Sequence, residues 1–277
     1  MAEVTLVAPG ITRLYMHDTS VMHAGGIAVY LVGDKEALLI DTADGTPEFT
    51  AAILEQLRET GIRLEAVLIT HHHNDHWGGG AEIQAATGAP VRAHPEAIER
   101  IRQAKAWFPM EPLYDGDTFV ANGLDVQAVA TPGHCPDHVA YFCPQRGVLF
   151  TGDTILGVGS STVSDLFDYM ATLDRLARLP SQVICPAHGP VVGDPAAKIR
   201  EYIEHRLTRE REVLGQLGGD PRTPREMVLA IYADVDPRLH DAAERNVRTH
   251  LAKLVKEGRA IELLGAAEDE PARYRLT

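Results

Sequence analysis

The sequence predicts a layered α/β domain followed by a smaller unit of two helices and a β-hairpin. Three observations carry that expectation. Short β-rich runs alternate with helical patterns as far as residue 217. A turn-forming stretch, Gly218-Gly219-Asp220-Pro221, then interrupts the pattern. Charge divides at the same place: residues 1–221 hold 16 basic and 29 acidic side chains, and 222–277 hold ten of each. A chain of 277 residues suits one large domain, or a large plus a small one. The expected domains are therefore 1–218 and 222–277.

In order, Ala28-Val29-Tyr30-Leu31-Val32 and Ala37-Leu38-Leu39-Ile40-Asp41 read as strands around the turn Gly33-Asp34. Thr46-Pro47 is a helix start, Ile53, Leu54 and Leu57 fall at helical spacing, and Gly61 closes the helix. Ala66-Val67-Leu68-Ile69-Thr70 is a buried strand that runs directly into a polar, histidine-rich loop. Strand-like runs follow at 124–130, 139–143 and 148–151, then a helix near 165–178, a strand at 182–185 and a long charged helix at 196–217. Beyond the boundary, Thr223-Pro224 starts a helix through Tyr232. A second helix covers 241–257, with Val247, Leu251, Leu254 and Val255 on one face. Residues 260–264 and 273–276 are strand-like around a polar turn. Helix, helix, hairpin is the order of a winged helix.

Composition narrows the class. No apolar run approaches the roughly 18 residues that a membrane span needs. Met1-Ala2-Glu3-Val4-Thr5-Leu6 offers no basic region ahead of an apolar stretch, so secretion is not indicated. Cys135, Cys143 and Cys185 cannot all pair and show no C-x-x-C spacing, which points to a reduced, cytoplasmic setting. A net charge of −13 argues against a surface built on phosphate contacts. Thirteen histidines in an acidic chain is the odd figure.

Their placement suggests chemistry. The loop Thr70-His71-His72-His73-Asn74-Asp75-His76-Trp77 holds His71, His73, Asp75 and His76 within six residues, between a buried strand and Gly78-Gly79. Imidazole and carboxylate are ligands of borderline divalent metals. His72 falls out of phase. Three further loops follow strands in the same way: Thr131-Pro132-Gly133-His134, Gly152-Asp153-Thr154 and Pro186-Ala187-His188-Gly189. Each alone is an ordinary polar loop.

Together these motifs resemble the metallo-β-lactamase superfamily over roughly residues 25–190. The resemblance implies a four-layer αβ/βα sandwich with two divalent metal ions, zinc, at one edge. It implies that His71, His73 and His134 bind the first ion, that Asp75, His76 and His188 bind the second, and that Asp153 bridges them. A hydroxide shared by two ions roughly 3.5–4 Å apart would then be the nucleophile, with Asp75 orienting it and passing a proton. Outer partners fix the tautomers of ligating histidines, and Asp41 and Asp137 are candidates. Exported β-lactamases usually carry a cysteine in the second site, where this chain has Asp153. The 35 positions from Asp153 to His188 leave no room for a nuclease cap domain.

A closer resemblance covers the C-terminal half. Thr131-Pro132-Gly133-His134-Cys135-Pro136-Asp137-His138, Gly152-Asp153-Thr154-Ile155-Leu156-Gly157, Asp165-Leu166-Phe167-Asp168-Tyr169-Met170 and the winged-helix tail look like the β-lactamase-like protein 2 family. That family implies single-strand endoribonuclease or thioester hydrolysis. Where it carries Gly-Thr-Asn-Thr before Tyr-Leu-Val, this chain has Gly26-Ile27-Ala28-Val29.

The expected function is dinuclear hydrolysis of a thioester or ester, on a small or carrier-bound substrate. Single-strand endoribonuclease is the alternative, which makes RNA a second partner class, with DNA and membranes disfavoured and a homodimer open. A mononuclear-iron persulfide dioxygenase is a further alternative, disfavoured by the complete set His76, Asp153 and His188. Trp107-Phe108-Pro109-Met110 reads as core packing or as a pocket wall. Arg245, Arg248, Lys256 and Arg259 read as a packing or dimerisation face rather than a basic stripe for nucleic acid.

Overall fold

A computed structural model describes residues 2–17, 25–104, 107–234, 236–264 and 271–277. Two sheets face each other. The first has seven strands in spatial order β1 to β7: Glu3–Ala8, Ile11–Met16, Ile27–Val32, Glu36–Ile40, Arg63–Leu68, Val91–Ala93 and Glu111–Pro112. β1 to β4 pair antiparallel, and β4 to β7 pair parallel. The second sheet is β8 (Thr118–Ala121), β9 (Leu124–Ala130), β10 (Val139–Cys143), β11 (Val148–Gly152) and β12 (Val183–Pro186), antiparallel except for the last pair.

Three apolar layers hold the sandwich. Between the sheets lie Tyr30, Ile40 and Leu68 from one side and Val126, Tyr141 and Phe150 from the other. Outside the first sheet, α1 (Pro47–Thr60), α3 (Gly80–Thr87) and α4 (Pro95–Gln103) cover Leu31, Leu39 and Val67; the one-turn helix α2 (Asn74–Trp77) adds Trp77. Outside the second, α5 (Leu166–Leu176) and the start of α6 (Pro195–Gln216) cover Phe142, Leu149 and Ile184. This is the expected four-layer α/β arrangement. β3, β10 and β11 are buried along their whole length. A sheet covered on both faces reads as a continuous apolar run rather than an alternation.

The tail forms a fourth core. α7 (Pro224–Ile231), α8 (His240–Lys256), β13 (Ala260–Leu263) and β14 (Arg273–Leu276) bury Met227, Val247, Leu251, Leu254 and Tyr274, and α6 adds Val213, with Leu217 just beyond it. The hairpin pairs antiparallel from Ala260↔Leu276 to Leu263↔Arg273; the polar turn read between its strands lies outside the described residues. Thr223 caps α7 in a reciprocal box with Glu226. In the Trp107 to Met110 run, Phe108 is buried in the first core against Trp77, as the core-packing reading expects, and Trp107 is exposed under Arg102.

Candidate metal centre

β5, β9, β11 and β12 end at one edge, and the loop after each carries the chemistry. His71 to His76 follow β5, His134 follows β9, Asp153 follows β11 and His188 follows β12. Loops on a rigid strand scaffold hold side chains in register. Two glycines permit the close approach this needs. Gly133 has φ 137°, and a Cβ there would lie 2.5 Å from the Tyr169 Cα. Gly152 has φ 48°, and its Cβ would lie 2.7 Å from His138 Nε2.

All seven sequence-predicted residues converge, in two sets. His71, His73, His134 and Asp153 form one and Asp75, His76 and His188 the other, with the potential ligand atoms of each set within 4.8 Å of one another. Within the first, His73 Nδ1 lies 2.8 Å from His71 Nε2 and 3.0 Å from His134 Nε2. Asp153 spans both: its Oδ2 is 3.6 Å from His134 Nε2, and its Oδ1 is 3.2 Å from His188 Nε2 and 3.6 Å from His76 Nε2. Asp75 Oδ2 is 3.2 Å from His188 Nε2.

The donor set fits divalent ions. His76 Nε2 and Asp153 Oδ1 are buried and make no hydrogen bond, a costly condition unless something between them accepts both lone pairs. Four histidines have the other ring nitrogen tied down. His76 Nδ1 donates to Asp41 Oδ2 at 2.8 Å, His188 Nδ1 to the Gly26 carbonyl at 2.7 Å, and His134 Nδ1 to the Thr162 carbonyl at 2.9 Å. His71 Nδ1 donates to the Thr70 hydroxyl at 3.1 Å. Each turns Nε2 toward the other potential ligand atoms. Asp41 takes two more donors from Thr70, N–H at 2.8 Å and Oγ1 at 2.9 Å, and adopts φ 60° to do so. Such a backbone in a buried non-glycine residue is uncommon and clusters at functional sites. Asp137, the other expected outer partner, instead bonds His72, through its backbone N–H at 2.9 Å and Nδ1 at 2.7 Å.

Electrostatics separate the sets. Burial, with neighbouring imidazoles, lowers His71 well below its usual range and His73 to about 4, which favours the neutral ring that a metal ligand needs. Burial also opposes charge on His76 and His188, but the surrounding carboxylates outweigh it and raise them to about 9 and about 11. Asp75 and Asp153, beside those imidazoles, stay well below the ordinary carboxylate range despite burial. The second set thus balances its acids with protons that a cation would displace.

His138 and Arg13 play parts that motif reading missed. His138 Nε2 accepts the Asp153 N–H at 3.0 Å, its Nδ1 donates to Thr131 Oγ1 at 2.8 Å, and its ring stacks on His71 with centroids 4.9 Å apart. The signal was its place at the end of the run after His134. Arg13 donates to the Gly189 carbonyl at 2.7 Å and Tyr30 to the Pro186 carbonyl at 2.7 Å, fixing the loop that carries His188. Nothing in their sequence neighbourhood announces this. Ala28, where the resembling family has asparagine, lines a small void with Asp41, Thr70 and Gly152 behind the ligands.

Comparison with known proteins agrees with this geometry. The family model for the metallo-beta-lactamase superfamily matches residues 24–188, and that for the beta-lactamase associated winged helix domain matches 223–267. A lactamase-like protein of Penicillium aethiopicum is 34% identical over 245 residues, covering 88% of this chain and 78% of its own. A beta-lactamase-like protein 2 homolog of Drosophila melanogaster is 32% identical over 285 residues, covering 99% and 97%. Among solved structures, a beta-lactamase domain protein from Burkholderia ambifaria superposes with a TM-score of 0.84 at 20% identity, covering 99% of this chain and 94% of that one. A metallo-beta-lactamase family protein from Thermus thermophilus gives 0.74 at 26% identity, covering 98% and 100%.

Proposed function

The chain belongs to the metallo-beta-lactamase superfamily and carries its associated winged helix domain, and from that premise we propose that it is a dinuclear zinc hydrolase acting on a thioester or ester. The superfamily binds divalent metals, typically zinc. The observation that carries the reading is the Asp153 carboxylate, which turns one oxygen toward each ligand set.

His71, His73, His134 and Asp153 would hold one ion, and Asp75, His76, His188 and Asp153 the other. Bound there, the two ions would supply Lewis acidity at the scissile carbonyl and would lower the pKa of a water toward neutrality. Asp75, kept anionic beside His76 and His188, orients that water and accepts a hydrogen bond from it. The water oxygen bonds to the carbonyl carbon, the C–S or C–O bond breaks, and the proton leaves with the thiol or alcohol. In front of the ligands lies a cavity of about 500 Å³ with Leu156 and Val158 on its wall. That wall suits an acyl chain, and it favours the ester class over a sugar-phosphate backbone.

The test is thiol release from acyl-N-acetylcysteamine thioesters by zinc-loaded protein, with and without Asp75→Ala. Turnover that falls by at least about 10² in the variant supports the reading. Cleavage of single-stranded RNA without thiol release would replace it with the endoribonuclease, and one iron per chain by elemental analysis would replace it with the dioxygenase.

A further inference from the structure

A second cavity, of about 440 Å³, opens off the metal edge toward the tail. His73 and His134 stand at its inner end, and Arg206 from α6 and Arg245 and Asn246 from α8 form its far wall. Packing explains that wall only in part: the Arg206 guanidinium lies over the Tyr169 ring, 5.3 Å from its centroid. Arg206 is 3% exposed and donates Nη2 to the Ser161 carbonyl, yet its Nε makes no hydrogen bond, and neither does Asn246 Oδ1. Among the described residues no carboxylate pairs with Arg206. A buried guanidinium is ordinarily paired.

Arg245 also lacks an acidic partner among the described residues, in contrast to the other cations of its helix. Arg248 is bonded to Glu244 at 2.6 Å, Lys253 to Glu210 at 2.6 Å, and Lys256 lies 3.4 Å from Asp168. The four-residue face read from the sequence therefore divides, since Arg259 also holds Glu210, at 2.7 Å. In a chain of net charge −13, two guanidiniums without acids share one cavity that reaches the metal ligands. Planar guanidinium forks match carboxylate and phosphate oxygens. Two cations suit one anionic group, whereas a polyanion is held by a longer row of contacts.

We propose that this cavity is the subsite for a carboxylate or phosphate borne by the substrate at a distance from its scissile carbonyl. The winged helix is then a specificity element of the hydrolase. The identity of the bound molecule rests on the hydrolase reading; the anion subsite itself can be tested without turnover.

Zinc-loaded full-length protein is treated with phenylglyoxal at constant ionic strength, and arginine peptides are mapped by mass spectrometry. Glutarate, inorganic phosphate or a single-stranded oligonucleotide is added as protector. Labelling of Arg245 is expected to slow several-fold with glutarate or phosphate while Arg248 is unaffected, and whichever anion protects identifies the group. In a second arm, glutaryl and pentanoyl thioesters of N-acetylcysteamine are compared. The glutaryl ester should be favoured by about tenfold in kcat/KM, the size of one charged hydrogen bond, and mainly through KM. Arg245→Ala should erase the preference, Arg245→Lys should restore part of it, and Arg248→Ala should leave it unchanged. Protection of Arg245 without hydrolysis of either ester keeps the subsite and removes the hydrolase reading. Protection by the oligonucleotide alone, or no protection and equal rates on both esters, overturns the proposal.

Discussion

Two buried histidines, His76 at the metal edge and His250 in the tail, end on opposite sides of the ordinary imidazole range. At the metal edge His76 is surrounded by Asp75, Asp41 and Asp153 and is lifted to about 9. In the tail His250, 0% exposed, is pushed by burial to about 3, with Arg206, Lys253, Arg209 and His205 adding to the push. Loss of solvent disfavours charge at both places; the neighbours decide the sign. The neighbours of His76 are carboxylates, and those of His250 are cations and a second histidine.

Asp153→Ala should damage that contrast most. Among the described residues it removes the one carboxylate that faces both ligand sets, and zinc content and turnover should both fall, turnover by at least about 10². Elemental analysis beside a thermal melt separates metal loss from unfolding; two zinc ions retained per chain would break the bridging assignment. Asp41→Ala leaves His76 Nδ1 and the Thr70 N–H without their acceptor. Zinc affinity, read by competition with a chromophoric chelator, should drop about 10- to 100-fold. An unchanged affinity would mean that Asp41 holds the loop but not the ligand.

His250 tests the opposite pole. Its folded pKa lies below the unfolded value near 6.5, so the unfolded chain binds the proton more readily. Its contribution to stability is full above about pH 6.5 and is lost as pH falls toward 3. His250→Leu should therefore flatten the acid side of the stability profile, measured as urea midpoints relative to wild type. A parallel profile would show that the ring is not neutral in the fold. Smallest of all, Arg248→Ala breaks an exposed pair with Glu244 and should cost only about 0.2–1 kcal/mol, so a larger change in denaturant midpoint would give the tail cations a structural role.

What is legible in the sequence follows from burial. β3, β10 and β11 are covered on both faces and show as apolar runs. β1 is largely exposed and β7 has two residues, so neither has a pattern to read. The seven candidate ligands are visible because they sit in short loops directly after buried strands. Asp41 can be named as an outer partner, but its left-handed backbone is not foreseeable, and Asp137 goes to the wrong histidine because sequence cannot show which ring lies beside it. Nor can it show that Arg245 lines the cavity that reaches His73 and His134 while Arg248 turns to Glu244, since that depends on how α8 lies against α5 and α6.

The long helix α6 belongs to two cores. Ile199 and Tyr202 pack on the second sheet, and Val213, three turns later, packs with Val247 and Leu251 of the tail. Melting either end strips apolar cover from the other, so the two units are expected to unfold in a single cooperative transition rather than one at a time. Severing the chain after α6 leaves Val213 facing water and turns a folding unit into a sticky fragment.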